Sequence, residues 1–110
     1  MRIPPALAAS ATPRILELLG DPPGRVLEVG FAGIHAEPLR LAGFEVVVVE
    51  PDPAYRAGAR ERAGEVLDVA PAGSFDAVVA PEGIDLTGAG ARTVLRVRHD
   101  GSVWSSASFD

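Results

Sequence analysis

The stretch RVLEVGFAGIHAEPLRLAGFEVVVVEPDP, Arg25 to Pro53, constrains this chain more than any other. An apolar run ends in an acid and a glycine, a short helical pattern follows, and a second apolar run ends in another acid. RVLEV lacks polar alternation, as a strand buried on both faces does. FEVVVVE carries four consecutive valines, β-branched and apolar, and is the strongest strand signal in the chain. IHAEPLRLAG between them is predicted to be a helix of about two to three turns. Pro38 fits only in a first turn, so the helix begins near Ala36 and ends at Gly43. Strand, helix and strand in this order make a parallel pair with a right-handed crossover.

The rest of the chain extends that unit. TPRILELLG is predicted to be a short helix capped by Thr12, with Pro13 in its first position and Ile15, Leu18 and Leu19 on one apolar face. Gly20 ends it, and DPPG is a turn. Asp52 caps a second crossover helix, PDPAYRAGARERAG, which Pro53 opens. EVLDV reads as a short edge strand and SFDAVVAP as a buried one. The pattern predicts an α/β fold: a three-layer sandwich of about five mostly parallel strands in the order 3-2-1-4-5. The last third has two readings. One is a helix leading into a fifth strand at Ser102 to Ser106, and the other is a hairpin turning at Asp100-Gly101 between TVLRVR and SVWSS. The helix-then-strand reading is preferred, although Gly88 and Gly90 weaken a long helix. Residues 1–12 are expected to be a flexible segment ahead of a single domain.

At 110 residues, with 47% of them hydrophobic, the chain is one small domain able to bury a core. Its net charge of −5 disfavours nucleic acid as a partner. Arg92, Arg96 and Arg98 read as a solvated face. With no cysteine, neither a disulfide nor a thiolate metal site can form, and His35 and His99 stand far apart, so no metal is expected. No apolar run approaches the ~18 residues of a membrane span. The start MRIPPALAASA faintly resembles a signal peptide, but Pro4 and Pro5 interrupt its short apolar patch, and a cytoplasmic location is expected.

The chemistry gathers at the carboxyl ends of the first two strands. Gly30 lets the backbone turn sharply beneath a ligand, and the next helix presents free N–H groups to the same crevice. Glu50 ends the second strand about twenty residues on, where a carboxylate can accept both hydroxyls of a ribose. A dinucleotide loop needs glycine at its first, third and sixth positions. Here those are Gly30, Ala32 and His35, so a dinucleotide is disfavoured. Glu28, two residues before Gly30, is an acid that the dinucleotide pattern does not require, and it can hold a cationic amino-acid moiety.

With EVGFAGI in the glycine loop, LRLAGFEVVVVEPDP after it and EVLDVAPAGSFDAVVAPEG beyond, the chain resembles the Rossmann-like S-adenosylmethionine-dependent methyltransferases over residues 14 to 106. The resemblance implies S-adenosylmethionine as cofactor. It implies a loop of Gly30, Phe31, Ala32 and Gly33, with Glu28 at the amino-acid end. It also implies Glu50 and Pro51 at the ribose, and Asp68 and Val69 at the adenine. Ala32 and Ile34 depart from the family's glycines, and Gly33 serves as the third if the loop is one residue short. An alanine is tolerated there where φ is negative, whereas Ile34 can block a close approach. The family's closing antiparallel strands are not expected in this sequence. PEGID after the fourth strand differs from the motif of amino-group methyltransferases, leaving Glu82 or Asp85 as candidate bases and no catalytic residue assigned. A non-enzymatic partner subunit on the same fold is the second reading.

Other residues have plainer readings: His35 as an exposed histidine, Tyr55 as packing for its helix, and Trp104 as core or interface. A fifth strand at the sheet edge with few charges leaves backbone groups unpaired, so a homodimer or a protein partner is expected there.

Overall fold

The structure, a computed structural model, describes residues 2–71, 73–84, 86 and 90–107. Two helices come first, α1 (Pro5–Ser10) and α2 (Thr12–Leu19). There follow β1 (Arg25–Val29), α3 (Ala36–Leu41), β2 (Glu45–Val49), α4 (Pro53–Ala63) and β3 (Val66–Leu67). The chain closes with β4 (Ser74–Pro81), β5 (Gly90–Val97) and β6 (Val103–Ala107). The six strands form one sheet in the order β3-β2-β1-β4-β5-β6. Every pairing is parallel except β5 with β6. The molecule is thus α/β, with a mostly parallel sheet. No helix among the described residues is long and apolar enough to cross a membrane.

Local chemistry accounts for the elements near the centre. Pro5, Pro13 and Pro53 each open a helix, where a missing N–H costs nothing. The Asp52 side chain accepts from the Ala54 amide at 2.9 Å, capping α4 as the sequence implies. Successive residues of β1 serve opposite faces of the sheet: Val26 packs in one cluster, Leu27 and Val29 in the other.

The two faces are covered differently. One carries every helix: Ala8, Ile15, Ala36, Leu39, Ala59 and Ala63 bury against Val26, Val46, Val48 and Val79. The other gathers Leu27, Val29, Val49, Val78 and Ala80 beneath the loop residues Ile84 and Leu86, and no helix of the described residues contributes to it. Among the described residues the expected third layer of helices is therefore not found there.

The last third corrects the sequence reading. The sheet has six strands rather than five, and its order gains a final member. The fifth strand is Gly90–Val97, not Ser102 to Ser106, and the hairpin reading holds. Too little chain separates Pro81 from Gly90 for a helical crossover back along β4. Arg98 N–H then donates to Ser102 O at 2.8 Å, and the Ser102 N–H donates to Asp100 Oδ1 at 2.9 Å. Gly101 adopts a φ of 87°, as Asp-Gly hairpins require. β6 is consequently antiparallel and forms the sheet edge.

Two smaller expectations also change. Where the proline-rich start reads as flexible, Pro5–Ser10 are helical and Ile3 is buried in the core. Thr12 lies inside α2 instead of capping it, and Ala11 takes the cap position. The Thr12 hydroxyl is engaged instead with His35 Nδ1, at 2.8 Å.

Candidate functional site

β1 lies between β2 and β4, so its carboxyl end sits where the strand order reverses, the place where open α/β sheets leave a crevice. The Gly30–Gly33 loop leaves β1 at this point. Gly30 N–H donates to Val49 O at 3.0 Å, which ties the loop to the end of β2. Gly30 has φ 80°, and a Cβ there would fall 2.5 Å from Ile84 Cδ1 and 3.3 Å from Pro81 Cδ. Only glycine fits.

Ala32 is the informative departure. Its φ is 53°, the only positive φ of a non-glycine among the described residues. The backbone keeps the left-handed turn of a glycine although the residue is alanine, contrary to the negative φ expected for it. Gly33, at φ 76°, lies against α4: a Cβ would sit 3.0 Å from Ala63 Cβ and 3.3 Å from Ala59 O. The lack of a side chain lets the loop lie close against α4.

Glu50 is fully buried, with both carboxylate oxygens occupied. Oε1 accepts from Ala32 N–H at 3.0 Å and from Arg2 Nη2 at 2.7 Å. Oε2 accepts from Asp52 N–H at 3.1 Å and from Arg2 Nη1 at 3.3 Å. The acid therefore locks the glycine loop to the end of β2 and takes a forked guanidinium from the start of the chain. Arg2 also stacks on Tyr55, 3.7 Å from the ring centroid. Tyr55, expected to pack its helix, is 42% exposed and serves the crevice instead.

Glu28 is fully buried as well. Its Oε2 accepts from His35 N–H at 2.7 Å, and its Oε1 has no partner. Burial pushes its pKa up from 4.5 to about 7 against the lowering effect of the His35 and Gly33 backbone donors. His35 is buried rather than exposed, and burial drives its pKa down from 6.5 to about 4. Its Nε2 is unpartnered, and its ring meets Phe31 edge-on at 4.7 Å. A lone histidine before a helix gives no sequence signal for such burial.

A cavity of about 300 Å³ lies over the loop, near the lower limit for small-molecule sites, ~300–1,000 Å³. Gly30, Phe31, Ala32 and Ile34 form its floor, with Tyr55 and Arg62 also in its wall, and the segment from Arg2 to Pro5 borders it. Ile34 thus faces the cavity while packing on the core. A second hollow of about 530 Å³ shares Arg2, Gly30 and Pro81 and extends to Glu82 and His99, which approach to 3.9 Å.

The structure brings Glu28, Gly30, Phe31, Ala32, Gly33 and Glu50 together. Pro51 is exposed, and its carbonyl accepts from Arg56 at 2.8 Å. Asp68 and Val69 are exposed in the bend after β3 and do not line the cavity. Asp85 lies outside the described residues. Arg2, Ile84 and Arg62 were not singled out from sequence, and nothing local marks them: the Arg2–Glu50 contact joins residues 48 apart. No group of three or more His, Asp or Glu among the described residues is placed to hold a metal. Comparison with protein-family models and with curated proteins finds no match.

Proposed function

We propose that the chain is a Rossmann-like domain that binds S-adenosylmethionine or its demethylated product at the crevice above Gly30. The observation that carries this reading is the union of the loop with Glu50, made by a 3.0 Å bond from the Ala32 amide. A buried carboxylate fixed at the switch point, beside a loop whose alanine holds a glycine conformation, suits a ribose-bearing ligand. The resemblance assigns Glu28 to the amino-acid end; its Oε1 is unpartnered, and the side chain lies fully buried beneath the loop, outside the cavity wall. Phe31, Ile34 and Tyr55 supply apolar and aromatic wall, while Asp68 and Val69 belong to the adenine side only if the bend after β3 moves inward.

The bound cofactor would supply an electrophilic methyl group. The protein's part is alignment, with the loop and Glu50 holding the nucleoside and Glu82 available to accept an acceptor's proton. The acceptor is a small molecule or a partner's side chain.

A non-catalytic partner subunit is the second reading, and one observation favours it: both oxygens of Glu50 are already satisfied from within the chain. Ribose specificity separates the two. Adenosine is expected to bind and 2′,3′-dideoxyadenosine to bind at least tenfold more weakly, with Glu50→Gln erasing the difference. Equal binding of the two nucleosides by the wild type removes Glu50 from the ligand site.

We also propose that β6 pairs with a second copy or another protein. It is the last strand of the sheet, and an edge strand offers its outward backbone groups for pairing. Light scattering at tens of micromolar is expected to give at least a dimer mass, and a monomer mass excludes self-pairing.

A further inference from the structure

Arg2 stands where a ribose would have to lie. Its guanidinium forks onto a carboxylate that is fully buried, with its Nη2 2.7 Å from Oε1, while its other face stacks on Tyr55. The residues after it hold it there: Ile3 is buried in the core, and Ala8 of α1 packs beside Ile15 in the same cluster. The C-terminal end of α1 is set against the hairpin, since a Cβ on Gly101 would come within 3.2 Å of Ser10 Oγ. Arg2, Gly30 and Pro81 line both hollows above the loop, so the two adjoin at the arginine.

We infer that the N-terminal segment is a built-in competitor for the nucleoside site, with Arg2 in place of the sugar diol. The inference rests on the adenosyl reading above and adds its regulation. Ligand entry exchanges one set of Glu50 partners for another: the Arg2 N–H groups leave, ribose hydroxyls donate in their place, and the Ala32 and Asp52 amides keep their bonds. Arg2 leaving clears the shared wall of the two hollows beside Glu50. A protein whose competent state is only partly populated binds more weakly by that fraction, so the latched chain has a lower apparent affinity than its open form.

The test is calorimetric titration of wild type and Arg2→Ala with S-adenosylhomocysteine. Tighter binding by about tenfold or more in the variant is the expected result. Equal affinity, or weaker binding by the variant, overturns the latch while leaving the adenosyl reading standing. Absence of binding to either protein overturns both. Because Arg2→Ala leaves a buried acid short of a partner and can unfold the domain, amide hydrogen exchange on the wild type provides the second measurement. Saturating S-adenosylhomocysteine is expected to release protection at Ala8 and Ala11 and to retain it at Ala32. Ligand binding with Ala8 and Ala11 still protected overturns the proposal.

Discussion

Glu28 and His35 are shifted in opposite directions by the same cause, removal from water. Glu28, raised from 4.5 to about 7, stabilises the fold fully below pH 4.5, and that contribution is lost as pH rises through about 7. His35, lowered from 6.5 to about 4, contributes fully above pH 6.5, and its contribution is lost as pH falls through about 4. Between pH 4.5 and 6.5 the folded chain carries a proton on Glu28 and none on His35, and the unfolded chain the reverse. The two slopes cancel in that window. His35→Gln removes one of them. Urea titrations are expected to show the stability gap between wild type and variant growing in favour of wild type by about 1.4 kcal/mol per pH unit across the window. A gap independent of pH would mean that His35 is not held neutral. At the next residue of interest, Ala32→Gly relieves a left-handed alanine, whose cost of about 1–2 kcal/mol is partly offset by the extra freedom of glycine in the unfolded chain. The expected outcome is a small rise in melting temperature, and a fall contradicts the loop geometry.

Among the elements, those whose signal is local were legible. β1 and β2 announced themselves through unbroken apolar runs, and α4 through Asp52 and Pro53. The hairpin is legible too, in Asp100-Gly101, beside the preferred reading of a helix leading into a fifth strand. The chain between β4 and β5 is too short for a helical crossover. α1 was missed because the proline-rich start reads as a flexible segment, although a proline at the first position opens a helix. Gly101 measures how far the hairpin supports the fold. At φ 87°, with Ser10 Oγ and Leu7 O near its missing side chain, Gly101→Ala is expected to cost about 1 kcal/mol or more. For a domain of this size that lowers the melting temperature by roughly 4–8 °C per kcal/mol in a thermal scan. An unchanged melting point would separate the turn from α1.

For the whole molecule, the parallel centre of the sheet and the strand–helix–strand unit were readable because hydrophobic period and spacing carry them. The loop and its two acids were therefore readable too. What closes over them was not. Arg2 reaches Glu50 across 48 positions, and Ile84 covers Gly30 from the far end of β4, contacts that only the folded chain makes. The same limit hid the uneven layering, since the helices that would cover the second face have no counterpart among the described residues. A crevice lies at the switch point, and Arg2 holds the buried acid beneath it, where we propose a ligand to bind.

The most direct check is a thermal-shift titration of wild type and Arg2→Ala with S-adenosylmethionine, S-adenosylhomocysteine and NAD. Ligand at ~100 times its Kd adds about 2.7 kcal/mol of stability. In a domain this small that is a rise of roughly ten degrees or more. The account predicts such a rise with both adenosyl ligands, at lower ligand concentration for Arg2→Ala than for wild type, and none with NAD. No shift in either protein at millimolar adenosyl ligand, or a shift with NAD alone, would contradict it.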